Sequence, residues 1–257
     1  MKTVRAANDS TKSDKLHEEL VFYRGICIKP VEKKQVLEKI AKYGLNSNDQ
    51  HWHKTEFVDH KGKLAKLLKK SDLTVQDVRP SKMVSNKFAG QTRVSIGAEP
   101  AVCACGDETG ATYYALKHNR NEKEGKTEAL IIKFKAPVKD TIVDGCDFMF
   151  TCMQFGASDQ HKGKLVEIFG RESGKYYDLA RKSAEQDFRI AIAYLAVQDP
   201  RIILNHYNNK TVIGGRWGTI FRSAFQIKLP IPAERIIDVF SPRLPIPSPE
   251  ILVKDVR

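Results

Sequence analysis

Tyr23-Arg24-Gly25 lies inside Val21 to Ile28, VFYRGICI, whose aromatic and β-branched residues predict a strand. On a strand, Phe22, Arg24 and Ile26 share one face. A guanidinium among apolar neighbours requires an anion. Either an internal Asp or Glu supplies it, or a bound phosphate does, since phosphate oxygens fit the planar fork. Gly25 tilts the balance to the second, because it lets a ligand approach the backbone closely. Ser95, in Thr92-Arg93-Val94-Ser95-Ile96-Gly97, falls near a predicted strand end, where a hydroxyl either closes a turn or braces a pocket. Between Phe221 and Pro230, Ala224, Gln226 and Lys228 share a face predicted to look into a cleft or solvent, while Phe225, Ile227 and Leu229 face the core. Just upstream, Gly214-Gly215-Arg216-Trp217-Gly218 sets Trp217 on a flexible turn. It would stack on a base, pack on a protein, or fold back onto the core.

Other candidates have plainer readings. His51-Trp52-His53 has strand spacing for a metal, but histidines in a polar loop are usually surface residues. Asp107-Glu108 suits a helix N-terminus. Lys61, Lys63, Lys66, Lys69 and Lys70 form a basic face, either simply solvated or a footprint for a phosphate backbone. The formal charge of +12 over 257 residues favours a polyanionic partner, nucleic acid first. Five cysteines, with no CxxC, fit neither a disulfide scaffold nor a zinc site; Cys103 and Cys105 would share a strand face. Reduced thiols, a polar N-terminus without a signal-type apolar stretch, and no apolar run of spanning length predict a cytoplasmic chain with no membrane partner.

The elements that must position these residues follow from periodicity. Pro30 opens a helix carrying Leu37, Ile40 and Ala41, with Gly44 at its stop. Residues 46–60 read as a polar loop, 61–70 as a basic amphipathic helix and 71–87 as turn-rich. Thr92 to Ile96 reads as a strand, Asp107 to His118 as a short helix, and Ala129 to Phe134 as a buried strand, with another strand between Ile142 and Phe150. Tyr176 to Val197 is expected to be the longest helix. Ile202 to Leu204 and Thr211 to Ile213 read as short strands, Thr219 to Leu229 as a long one, and Ile236 to Phe240 as the strand closing the sheet. This order predicts an α+β chain. Its parts are a flexible segment over 1–17, one domain over 18–241 with a basic helical insertion at about 46–90, and an extended Pro-rich tail over 242–257.

The order of these pieces resembles the ADP-ribosyltransferase superfamily, in its arginine–serine–glutamate branch. The likeness runs from Val21 to about Phe240: a strand with Tyr-Arg-Gly, a helix ending in Tyr-Gly-Leu, a strand with serine, a helix of Ala-x-x-Tyr-Ala type, and a late strand leading into Pro-x-Pro-Ala-Glu-Arg-Ile-Ile. It implies a split, strongly bent central sheet flanked by helices, with NAD as co-substrate and no metal. Arg24, flanked by Tyr23 and Gly25, matches the arginine that holds NAD, and Ser95 the serine that shapes the nicotinamide pocket, although Val94-Ser95-Ile96 stands for the usual Ser-Thr-Ser. Tyr113 or Tyr114 would pack on nicotinamide. Arg216, Trp217 and Phe221 fall in the loop that contacts the target.

One departure matters chemically. The family's catalytic glutamate belongs near the start of the strand after Arg222, where this chain has Ala224 and Gln226. Nicotinamide leaves ribose through an oxocarbenium-like state, which a nearby carboxylate stabilises. Three explanations stand: an engineered inactive variant with the substitution at 224 preferred to 226, a naturally dead relative, or a carboxylate placed elsewhere. The resemblance implies a mono-ADP-ribosyltransferase toxin of toxin–antitoxin or phage-defence type. Its target would be nucleic acid, RNA ahead of DNA, bound partly by Lys66, Lys69 and Lys70, and an antitoxin protein would be a further partner. The rivals are a transferase acting on protein and a catalytically dead module of the same fold that binds RNA or a protein.

Overall fold

Alternating burial along ELVFYRGICI makes β1 (Glu19–Ile28) a strand with one face in the core. A computed structural model describes residues 18–46, 48, 55–59, 83–84, 96–118, 125–144, 148–155, 159–182, 189, 192–193, 195–215 and 220–256. Residues 1–17, His51, Trp52, His53, the lysine face at 61–70, Ser95, Arg216 and Trp217 lie outside the described residues.

Pro30 starts a 3-10 turn that feeds α1 (Lys33–Tyr43), which buries Val36 and Ile40 and ends at Gly44 with φ 66°. Next come β2 (Thr55–Asp59), β3 (Met83–Val84) and β4 (Ile96–Cys105). Asp107 caps α2 (Glu108–Tyr113) by accepting the Gly110 N–H at 3.0 Å, and α2 runs into a π turn over Tyr114–His118. β5 (Glu128–Pro137) and β6 (Thr141–Val143) precede α3 (Met149–Phe155), α4 (Asp159–Phe169), α5 (Arg171–Ala180) and α6 (Pro200–Asn208). The remaining strands are β7 (Ile213–Gly214), β8 (Ile220–Phe221), β9 (Ala224–Lys228), β10 (Ile236–Phe240) and β11 (Ile251–Leu252).

The fold is α+β with a mostly antiparallel sheet, in the order β10-β5-β1-β4-β2-β3, with β9 on β4 and β6 on β9. β1 ladders with β5 along its whole length, from Glu19↔Pro137 to Ile28↔Glu128. With β4 it shares a single register position, Tyr23↔Cys105. Side chains replace the missing ladder on both sides of that junction. The Tyr207 hydroxyl, from α6, donates to Val21 O at 2.9 Å and accepts from Val21 N at 3.2 Å. Arg24 Nη1 donates to Cys103 O at 3.0 Å, where a ladder continued in register would have set Gly25. Phe22 anchors the region beneath, edge-on to Phe225 at 5.3 Å and to Tyr207 at 5.7 Å.

Several elements differ from expectation, each for a physical reason. The predicted strand at Ile202 to Leu204 is helix α6: Asp199 accepts the Arg201 N–H at 2.9 Å and Pro200 takes the first turn, which overrides the β-branched pair Ile202-Ile203. Of the strand expected over Thr211 to Ile213, only Ile213 belongs to β7. The helix expected from Tyr176 to Val197 instead begins as α5, which starts at Arg171 and stops in a turn at Arg181-Lys182; beyond that turn the described helical residues are Arg189, Ile192, Ala193, Leu195 and Ala196. Leu179, Ala180, Ile192 and Leu195 are all buried, so periodicity registered burial rather than continuity. The long strand Thr219 to Leu229 is broken into β8 and β9 at Arg222-Ser223, where Ser223 takes φ 47°. The expected strand at Thr92 to Ile96 is described from Ile96 onward as β4, which runs on to Cys105. β2 falls inside the expected loop 46–60, β3 inside the turn-rich 71–87, and β6 ends at Val143 before α3 begins. The C-terminal tail packs back: β11 pairs parallel with β7, and Ile251 and Val253 are buried in the main core.

Candidate functional site

The β1–β4 junction surrounds a cleft of about 250 Å³, including the part open to solvent. Its walls come from β1 (Tyr23, Arg24, Gly25), β4 (Cys103, Ala104, Cys105) and β9 (Ala224, Phe225), with Tyr114 from the π turn and Asp144 just after β6. The separated sequence pieces Arg24, Tyr114 and Ala224 therefore meet in one place. Asp107 positions the helical wall: besides capping α2, it lies 2.9 Å from Arg222 Nε and 3.9 Å from Lys210. Its role is structural.

Arg24 dominates the cleft's electrostatics. It is 4% exposed, its Nη1 is spent on Cys103 O, and its buried Nε has no hydrogen-bond partner. Among the described residues no carboxylate forms an ion pair with it. Burial lowers its pKa, partly opposed by Cys103, Cys105 and Tyr114. An arginine does not lose its proton in a protein, so the cleft holds a cation with unused donor capacity. Lys133 Nζ, 5.6 Å over the Tyr23 ring, adds positive charge on the same strand pair.

Gly25 requires a correction. Its missing side chain makes room for a helix, not for a ligand: a Cβ there would collide with Ala111 O and lie 2.6 Å from Ala115 N. Gly25 thus lets α2 and its π turn seat directly on β1, which brings Tyr114 into the cleft. Tyr113 is buried behind it, edge-on at 5.4 Å and 77°, so Tyr114 is the one of the pair that lines the cleft.

Ala224 reaches the wall because the chain bends just before it. The Ser223 hydroxyl donates into the carbonyls of His206 at 2.8 Å and Asn209 at 2.7 Å, which holds a non-glycine residue at positive φ. Gln226 was expected to share Ala224's outlook. Instead it is buried within the ladders, opposite Cys103 and Ile142, and is not among the cleft's lining residues. Ala224 through Ile227 are all buried, so both faces of β9 are covered and alternation no longer marks a solvent side. Phe221 lies on β8 opposite Ile213.

The cysteines and one acid were not expected to form walls. Cys105 sits centrally, and burial pushes its thiol well above the usual range, with Asp107 and Asp144 adding to the effect and Arg24 opposing it. Asp144 was missed altogether; the only local signal was an acid directly after the β-branched run Thr-Ile-Val. Below the cleft, His206 packs between Phe169 at 4.6 Å and Phe225 at 5.2 Å. Burial pushes it down to about 3, against weak support from the carbonyls of Ile168 and Ala224, to which neither ring nitrogen makes a well-formed hydrogen bond.

Among the described residues no group of three or more His, Cys, Asp or Glu side chains is placed to hold a metal ion, and no helix is long and apolar enough to cross a membrane. Compared with models of known protein families, with curated proteins and with solved structures, the chain matches none.

Proposed function

We propose that the chain is an NAD-binding protein of mono-ADP-ribosyltransferase type, with the dinucleotide seated at the β1–β4 junction and a nucleic acid, RNA before DNA, as the acceptor. One observation carries the reading: a buried arginine that, among the described residues, has a nitrogen without a hydrogen-bond partner and no carboxylate partner lines an open cleft. A charge left in that state is costly unless an anion completes it, and the guanidinium fork suits phosphate or ribose oxygens. Tyr114 offers a ring on which nicotinamide would stack. The enclosed part of the cleft has room for about one water, so the dinucleotide would lie across its solvent-open mouth and reach Arg24 with an oxygen. The net charge of +12 supports a polyanionic acceptor.

Calorimetric titration with NAD tests the reading. The chain should bind NAD, and Arg24→Gln should weaken binding at least tenfold; no binding by the unaltered chain overturns it. For the acceptor, RNA affinity should fall steeply with salt, and that slope should flatten when Lys66, Lys69 and Lys70 are changed to Gln. Labelled-NAD transfer compared on RNA, DNA and protein separates the acceptor classes. Ala224 at the position expected for glutamate favours a second reading, a module that binds without turnover; NAD or RNA binding without nicotinamide release would establish it.

A further inference from the structure

We propose that Asp144 is the catalytic carboxylate of this cleft, reaching from the neighbouring strand into the space left by the short side chain of Ala224; this rests on the NAD reading above. β6 and β9 pair through Val143↔Phe225, and the next step is held by the Asp144 N–H, which donates to Ala224 O at 2.9 Å. Residues facing one another across antiparallel strands project to the same side, with Cβ atoms about 5 Å apart. Asp144 and Ala224 therefore share a face, and both line the cleft. A carboxylate at 144 can occupy space that a longer side chain at 224 would otherwise fill.

The strand registers extend this pair into a row. Asp144 faces Ala224, Ala224 pairs with Cys105, and Cys105 pairs with Tyr23, the residue before Arg24. Four strands spaced about 4.8 Å apart put the ends of the row roughly 14 Å apart. The row has the acid of Asp144 at one end, the small side chains of Ala224 and Cys105 between, and the Tyr23 ring at the other end. Arg24, one residue on, alternates to the other face of β1 and lines the cleft where β1 and β4 part, with its Nη1 on Cys103 O. Both charges lie near enough to Cys105 to act on its thiol, in opposite directions. A cleft lined by one cation and one acid suits a ligand that carries both signs, such as a dinucleotide with a pyrophosphate and a cationic ribosyl-nicotinamide.

The chemistry balances without metal or redox partner. The bond between ribose C1′ and the nicotinamide nitrogen breaks, and its electron pair leaves with nicotinamide, which departs neutral. Positive charge develops on C1′ and the ring oxygen, where the Asp144 carboxylate stabilises it and accepts a hydrogen bond from the ribose 2′-hydroxyl. Water or the acceptor hydroxyl then attacks C1′ and gives up its proton to Asp144, and from there to solvent.

The test measures NAD binding by calorimetry and nicotinamide release by chromatography on the full chain, Asp144→Asn and Ala224→Glu. Asn keeps the shape of the side chain and the main-chain bond to Ala224; if a melting curve shows that variant unfolded, Asp144→Ser replaces it. Expected is nicotinamide release by the unaltered chain, reduced at least 100-fold by Asp144→Asn, with NAD affinity changed less than threefold. Release undiminished by the substitution overturns the proposal. So does an unaltered chain that binds NAD without cleaving it, and a gain of cleavage in Ala224→Glu would then return the carboxylate to β9 and leave the NAD site standing. Failure of the unaltered chain to bind NAD removes the underlying reading as well.

Discussion

Two arginines, both in contact with buried polar groups, are treated in opposite ways. Arg201 belongs to a closed network between α5 and α6. Asp199, fully buried, accepts from Arg201 Nε at 3.0 Å and Nη2 at 2.6 Å and from the Tyr176 hydroxyl at 2.9 Å, and Glu172 takes Arg201 Nη1 at 3.1 Å. These partners hold the Arg201 proton more tightly, while burial and Asp199 raise the Tyr176 hydroxyl. At Arg24 the described residues supply the Cys103 carbonyl and nothing for Nε. The first arrangement uses its charges to join helices. The second leaves a charge incomplete beside a cavity, as a binding site for an anion requires.

The largest effect should come from breaking the closed network. Asp199→Ala leaves Arg201 and the Tyr176 hydroxyl without their buried acceptor and should destabilise the chain by about 3–5 kcal/mol in urea unfolding. Near the cleft, Gly25→Ala forces α2 off β1 and should cost about 1–3 kcal/mol, with loss of NAD binding as Tyr114 is displaced. Arg24→Met should have the opposite sign to Asp199→Ala. Removing an uncompensated buried charge, less the bond to Cys103 O, should stabilise the fold by about 1–2 kcal/mol while abolishing NAD binding. Loss of stability in that variant comparable to Asp199→Ala would mean that Arg24 is structural and would erase the contrast.

The two regions were unequally legible in the sequence. Arg24 stands out because a charge interrupts an apolar run, and β1 because its aromatic and β-branched residues are dense; both signals are local. α1 announced itself through Pro30 and Gly44. The signal for α6 was also present, in Asp199-Pro200, but Ile202-Ile203-Leu204 read more strongly as strand. The bend before Ala224 was hidden, since Ser223 adopts positive φ only because carbonyls at the end of α6 receive its hydroxyl. β4 is poor in β-branched residues and becomes a strand through neighbours distant in sequence. Asp144 has no motif at all: only the pairing of β6 with β9, some eighty residues on, brings it beside Ala224.

His206 sharpens the comparison as a buried titratable group that escapes cost by staying neutral. It is pushed down to about 3 in the folded chain, from an ordinary 6.5. Between these values the unfolded chain binds a proton that the folded chain refuses, so stability is full above pH 6.5 and falls as the pH drops. The slope from this one group is at most about 1.4 kcal/mol per pH unit. Urea unfolding at pH 6.5 and 5.5 should therefore differ by about 1 kcal/mol, and His206→Phe should flatten that interval, since Phe169 and Phe225 already offer it an aromatic bed. An unchanged slope in the variant would mean that His206 does not set the acid sensitivity of the fold.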